Sequence, residues 1–519
     1  MSSHASPYDT YSSPLASRNA SQAMLTLWSP SHKFNMWRKI WLAVAQAQHE
    51  LGLPVTKEQV NELRAVVTRV NPDGSVGITD AEMHAAEKYE RDLRHDVMAH
   101  VHALGDSCPK AKGIIHLGMT SQDVVCNADM AIIAQALTLI EAKMGRLLIA
   151  LANQAANWKG LPTLGFTHFQ PAQPVTVGRR IVLWASDIAT CLDRLMMMAE
   201  LLPYRGLRGA TGTQASFLSL LGDGTRVDLL EHDALLRFEM IQSDTGRPRP
   251  LNSSGLRTFK IVGQTYPRVV DTFILADLAS VACVLHKIAT DIRLLSNRKE
   301  LDEPFEDKQI GSSAMPYKRN PMRCERICGL ARFVMNLVGN AYDTAATQWL
   351  ERTLDDSSNR RLSLPEAFLA LDGCLDLMHN VASGLIVHEA MVRKNLMAEL
   401  PFMATENILM ACVKLGADRQ HYHELIRQHA QIAGLRVKSE GLDNDLLERL
   451  KADQNFWSTA RGGPLAAELD WEGVLNPMNY IGRSIEQTER FIADVVEPLR
   501  IRYKDELAEL GAQQSAPRV

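Results

Sequence analysis

Four short stretches crowd glycine and polar side chains between long apolar-patterned segments. They are Leu93-Arg94-His95-Asp96, His116-Leu117-Gly118-Met119-Thr120-Ser121, Gly165-Phe166-Thr167-His168-Phe169-Gln170-Pro171 and Gly311-Ser312-Ser313-Ala314-Met315-Pro316-Tyr317-Lys318-Arg319-Asn320-Pro321. The last carries the most chemistry. A glycine followed by two serines gives a mobile backbone bearing hydroxyls, and Pro316 and Pro321 fix the chain around Lys318 and Asn320. Such a loop is able to open for a substrate and close over it; the same composition also suits a plain turn between helices. A serine hydroxyl is a poor base unless donors and positive charge hold it as alkoxide, and Lys318 and the loop amides are close enough in sequence to do so. In the third stretch, Thr167 and Gln170 flank His168 and offer it orienting hydrogen bonds, and imidazole suits proton donation near neutral pH. Thr120 and Ser121 open a long apolar-patterned segment, where unpaired N–H groups and the helix dipole favour an anion. A simple helix cap there is compatible with the same role.

Long helices must position these groups. No proline occurs between Pro109 and Pro162, and Ile132, Ile133, Ala136, Leu137, Ile140, Met144, Leu147, Leu148 and Leu151 recur three or four apart. That spacing predicts a helix of over 30 residues, starting near Ser121 with Asp123 just behind it. Similar patterns run over about 174–202, 264–297, 320–348, 362–385 and 404–437. Alternating runs of Val, Ile and Thr are nearly absent, so the class reads as all-α. Helices this long carry apolar stripes on more than one side, which predicts a bundle shared between subunits. Residues 1 to about 13 read as a flexible tail, Asn71-Pro72-Asp73-Gly74-Ser75 as a turn, and about 241–260 as a surface loop. Gly206, Gly209 and Gly212 follow no strand and so make no dinucleotide fingerprint.

A chain of 519 residues exceeds one compact core, so two or three domains are expected. Its formal net charge of −4 gives no global reason to bind nucleic acid or an anionic membrane; a site for an anionic substrate must be built locally from Arg and Lys. The eight cysteines lie scattered in apolar stretches and read as buried reduced thiols, with Cys324 and Cys328 on one helix face and no second pair for zinc. No uninterrupted run of about 18 apolar residues is present, so no transmembrane helix is expected. The Ser-rich beginning lacks an apolar core and does not read as a secretory signal. The expected compartment is the cytoplasm.

Gly311–Pro321 closely resembles the signature loop of the fumarase/aspartase superfamily, Gly-Ser-Ser-x-Met-Pro-x-Lys-x-Asn-Pro. The longer string Gln309–Arg326 is similar to that of the adenylosuccinate lyase family, in its eukaryotic-like form. The likeness continues, in order, over Pro14–Ser21, Arg91–His102, Gly113–Ser121, Leu161–Gln173, Gly209–Phe217, Gly263–Tyr266, Gln348–Arg361 and Glu399–Asn407. It implies three helical domains: 1–120, a long-helix bundle over 121–387 with its signature loop at 306–321, and 388–519. It implies a homotetramer with active sites assembled from several subunits. It also implies β-elimination of fumarate from adenylosuccinate, giving AMP, and from the succinylaminoimidazole carboxamide ribotide SAICAR, giving AICAR. No metal and no organic cofactor is implied, and the partners are small purine nucleotides.

By the same resemblance Ser312 is the general base and His168 the general acid. Lys318, Asn320, Thr120 and Ser121 hold the succinyl carboxylates, with Ser313 and Thr167 beside them. Arg18, Arg352, Ser357 and Arg361 match phosphate-binding positions, where arginine's fork suits phosphate oxygens. Arg94, His95 and Asp96 line the nucleotide and succinyl region, and Gln264 and Arg326 are further contacts. One position departs: where the family commonly has Arg-Tyr, this chain has Arg18-Asn19, so a shorter amide stands where tyrosine reaches the phosphate. Argininosuccinate lyase or fumarase would share the fumarate chemistry but need no phosphate site, which the Arg352–Arg361 stretch speaks against. A non-catalytic relative would be free to lose the serine, histidine and lysine that are all present here.

Overall fold

The computed structural model describes residues 9–245, 256–306, 308–457 and 469–512. Among these, long helices dominate. The ones that build the site are α1 (Pro30–Glu50), α2 (Ser121–Trp158), α3 (Val177–Leu201), α4 (Gly224–Thr245), α5 (Val269–Asn297), α6 (Met322–Ala346) and α7 (Asp356–Ser383). α2 runs 38 residues and is buried around most of its circumference, which makes it the axis of the core. α3, α7 and α1 pack on it, α5 packs on α6, α7 and α3, and α4 lies along α1. One continuous apolar cluster joins all seven.

α2 begins at Ser121, where it was expected. Thr120 is its cap, and the Asp123 carboxylate accepts the Thr120 N–H at 2.8 Å. Three expectations change. α4 extends through Thr245, because Ile241 and Gln242 continue its buried face; residues 246–255 of the expected 241–260 loop lie outside the described residues. The 404–437 pattern is two helices, Thr405–Lys414 and Arg419–Leu435. Gly416 turns the chain between them with φ +92°, and Asp418 caps the second by accepting the His421 N–H at 2.8 Å. α7 starts six residues before the expected 362 and carries Pro365 inside it. The 71–75 turn forms as read, with the Asn71 N–H donating to the Ser75 carbonyl at 2.8 Å. Of the tail, residues 1–8 lie outside the described residues.

Two helices, Ser121–Trp158 and Val269–Asn297, are long and apolar enough to cross a membrane by length and composition. The expectation of none rested on uninterrupted apolar runs, and polar residues such as Lys143 and Asp277 break these runs. All eight cysteines are free; six are buried, Cys191 is half-buried and Cys283 is exposed, which the scattered-thiol reading missed.

A second apolar cluster gathers side chains between Phe402 and Tyr480. The chain then returns to the bundle. Helices Ser484–Phe491, Glu497–Arg502 and Lys504–Ala512 contact α2 or α3. Tyr503 fills a notch on α2 at Gly145, where an added Cβ would stand 2.9 Å from the ring. Its hydroxyl donates to the buried Glu141 at 3.3 Å.

Candidate active site

Among the described residues every strand is two residues long, and four of them form two nested antiparallel pairs. β1 (Pro162–Thr163) pairs with β4 (Val175–Thr176), and inside them β2 (Phe166–Thr167) pairs with β3 (Gln170–Pro171). Thr167 faces Gln170, so His168 and Phe169 alone make the turn. Both are left-handed, at φ +53° and +55°. Such two-residue turns favour Asn-Gly, and a side chain in this conformation costs roughly 1–2 kcal/mol per residue. Two strained, exposed residues at a hairpin tip point to function rather than packing. The ribbon is held firmly below its tip. Gly165 passes the Gln173 carbonyl so closely that a Cβ would sit 2.3 Å from it, Arg180 donates to the Leu164 carbonyl, and the guanidinium of Arg298 lies 4.9 Å from the Phe166 ring.

The Gly311–Pro321 loop is pinned at both ends. Below it, Glu303 accepts the N–H groups of Arg323 and Cys324 at the start of α6, both at 3.0 Å. Arg323 pairs with Glu306 at 2.6 Å, and Arg319 lies over the Phe305 ring. Asn320 donates to the Gly311 carbonyl at 2.8 Å. At Gly311 an added Cβ would meet the Lys318 carbonyl at 2.1 Å, so the loop closes only on glycine. The half-buried Ser312 hydroxyl oxygen accepts the Met315 N–H at 3.1 Å and the Ala314 N–H at 3.4 Å. Two donors aimed at one oxygen are what an alkoxide needs. Ser313 and Lys318 stand exposed beside it.

Asp123 fastens the start of α2, the expected carboxylate site, to a distant loop, and sequence reading missed that role. It is fully buried, and one oxygen accepts from Arg205 and from the N–H groups of Arg208 (2.8 Å) and Gly209 (3.0 Å). Its other oxygen holds Thr120. The start of α2, with Thr120 and Ser121, is thereby fixed to the 205–214 loop. Gly212 in that loop lies 1.9 Å, measured from an added Cβ, from the Val262 carbonyl, which brings in the next segment.

From there a chain of charge runs to the expected phosphate groups. Arg352 donates to Gln264 at 3.0 Å and to Ser357 at 3.0 Å, and it pairs with the buried Asp356, which also holds Arg268 at 2.6 Å. The structure thus unites three predicted contacts. Beneath them Arg360 joins Asp271 and the Tyr266 hydroxyl. Arg361 pairs with Asp96 at 2.8 Å, and His95 caps that helix, its Nδ1 accepting the Met98 N–H at 3.3 Å. Arg94 precedes it with φ +55°. Lys33, not foreseen, lies beside Arg361 and Asp96; burial first, then Arg361, pulls its pKa down. His116 was noticed but given no role. Its φ is +70°, its Nδ1 accepts from Trp41 at 3.1 Å, and burial pushes its pKa down to about 4, with nearby His95 adding to the shift. It is therefore neutral at pH 7, with Nε2 carrying the proton.

Arg18 is exposed on the π-helical turn Leu15–Asn19, close enough to Arg326 to lower that residue's pKa after burial does. Asn19 folds back on its own turn and donates to the Pro14 carbonyl at 2.9 Å. Among the described residues no hydrogen bond or ion pair joins His168 to Ser312 within one chain.

Comparison with known proteins adds to this geometry. A lyase family profile matches residues 17–219 and 264–336, and an adenylosuccinate lyase C-terminus profile matches residues 401–491. An adenylosuccinate lyase of Schizosaccharomyces pombe is 45% identical over 504 residues, covering 97% of this chain and 98% of that one. One of Saccharomyces cerevisiae is 44% identical, covering 97% and 99%. The crystal structure of a fumarate lyase from Mesorhizobium sp. BNC1 superposes with a TM-score of 0.73 at 22% identity, covering 93% of this chain and 99% of that one. That last likeness concerns the fold alone.

Proposed function

The chain belongs to the adenylosuccinate lyase family of the fumarase/aspartase superfamily, and on that premise we propose that Ser312 and His168 are the base and acid of its elimination reaction. It is a carbon–nitrogen lyase that releases fumarate from adenylosuccinate, leaving AMP; SAICAR, giving AICAR, is its second substrate.

The proton to be removed sits on a carbon next to a carboxylate and is weakly acidic. Its loss puts a second charge on that carboxylate. Ser312, held as alkoxide by the Ala314 and Met315 N–H groups, takes the proton and becomes a neutral hydroxyl, its charge passing to the substrate carboxylate. Lys318, Asn320, Thr120 and Ser121 stabilise the dianion, the last two through the first turn of α2. His168 protonates the leaving nitrogen. Arg18, Arg352, Ser357 and Arg361 bind the phosphate, and Arg94, His95, Asp96, Gln264 and Arg326 position the rest. The exposed ribbon tip and the exposed loop meet in a homotetramer of three-domain subunits, where one subunit supplies His168 and another Ser312.

The observation that carries the base assignment is the pair of N–H groups aimed at one hydroxyl in a loop pinned at both ends. The test is the fall of adenylosuccinate absorbance with wild type and Ser312→Ala. Turnover should drop by about 10²–10⁴, the span of general acid–base contributions, with substrate binding retained. Wild-type turnover in the serine variant would refute the assignment.

A further inference from the structure

The turn that carries Arg18 is fastened to the bundle by a buried carboxylate. Asp372, on α7, is wholly inaccessible. Its Oδ2 accepts the Ser21 N–H at 2.6 Å, and its Oδ1 accepts the Ser21 hydroxyl at 3.1 Å. Lys143 on α2 lies 2.5 Å from that same Oδ1 and 2.8 Å from Asp376. Next to Asp372, Gly373 lets the Asn19 carbonyl approach so closely that an added Cβ would stand 2.8 Å from it. The turn closes on itself through Ala20 N–H to Leu15 carbonyl and Asn19 to Pro14. One buried carboxylate and one glycine of α7 therefore hold the strap at Ser21 and at Asn19, and its one exposed cation is Arg18.

A buried ion pair adds little net stability, because desolvation of both charges offsets their attraction. Its better-attested use is to fix a register. We infer that Asp372, neutralised by Lys143 and seated next to Gly373, is a positioning residue that sets Arg18 beside Arg326 for the substrate's phosphate. The inference rests on the reading of Arg18 as a phosphate ligand. Asp372 touches no substrate; it acts through the strap. Sliding the strap by even one residue would turn Arg18 away, since neighbouring residues on a helical turn face different directions.

The test compares adenylosuccinate with its phosphate-free nucleoside, succinyladenosine, on the intact enzyme. Asp372→Asn keeps an acceptor for Ser21 but loses the charge that orders it; Gly373→Ala pushes on Asn19 alone and leaves every charge in place. Each should raise KM for adenylosuccinate roughly tenfold, keep kcat, and leave kcat/KM for the nucleoside unchanged. A merely structural role would lower kcat and affect both substrates alike, and that outcome overturns the inference. If Asp372→Asn fails to fold, Gly373→Ala decides alone. Arg18→Ala separates the two readings. If it abolishes the preference for the phosphorylated substrate while the other variants do not, only the positioning role falls. If Arg18→Ala leaves the preference intact, the phosphate reading falls and takes this inference with it.

Discussion

Mixing two inactive variants tests whether one site draws on two chains. His168→Gln removes the acid from every site of its oligomer, and Ser312→Ala removes the base from every site of the other. Both residues are available for sharing. His168 tops an exposed hairpin, Ser312 lies in a loop on a separate element, and no bond joins them within a chain. Suppose the oligomers are dissociated, mixed in equal amounts and reassembled. A site that takes its histidine from one chain and its serine from another then finds both native with odds of one half times one half. Roughly a quarter of wild-type activity should return. If both residues came from the same chain, no mixed site would hold the pair, and activity would stay at the level of the parents. The readout is adenylosuccinate cleavage, with mixed assembly verified by native mass spectrometry. Verified hybrids with only parental activity would refute the shared site.

Other perturbations follow from the same structure. Asp123→Ala strands the buried Arg205 and frees three N–H groups, so it should cost roughly 3–5 kcal/mol of stability, as a broken buried pair does, read as a lower midpoint in urea. Arg352→Lys keeps the charge but loses the fork to Gln264 and Ser357, and should raise KM about tenfold with kcat nearly kept. Burial pushes the Glu141 carboxyl from 4.5 up to about 7. The folded chain thus keeps a proton that the unfolded chain releases, so this contribution is full below about 4.5 and lost as pH rises to about 7. At about 1.4 kcal/mol per unit it amounts to roughly 3 kcal/mol, and Glu141→Gln should flatten the fall in stability that urea denaturation reads between those pH values. Phe169→Gly removes one strained side chain from the hairpin tip and should raise stability by about 1 kcal/mol; an unchanged or lower urea midpoint would count against that strain.

The long helices were legible because their apolar spacing is local and no proline interrupts 110–161. What escaped depends on distant partners. Nothing near Asp123 in sequence announces Arg205 or Gly209, more than 80 residues on, so it read as part of a helix cap and not as a hub. The His168 stretch was singled out for its chemistry, but its nested ribbon was not foreseen: β-pairs two residues long leave no alternating pattern to see. α7 starts earlier than expected because its opening residues, Asp356–Arg361, are all polar and carry no apolar spacing, and the Gly416 break inside 404–437 was outweighed by apolar residues on both sides. Asn19 is held back on its own turn by the Pro14 carbonyl, a backbone contact invisible to side-chain reasoning.

The tyrosine that plugs the Gly145 notch has a consequence for biosynthesis. Tyr503 and its partner Glu141 are 362 residues apart in the chain. At 5–20 residues per second, a ribosome makes the helix about 20–70 s before it makes the plug. Throughout that interval the groove stays open on the nascent bundle, together with the apolar surfaces around it. Chaperone demand should therefore peak late in translation, and Tyr503→Ala, which leaves the notch unfilled, should lower the yield of folded protein.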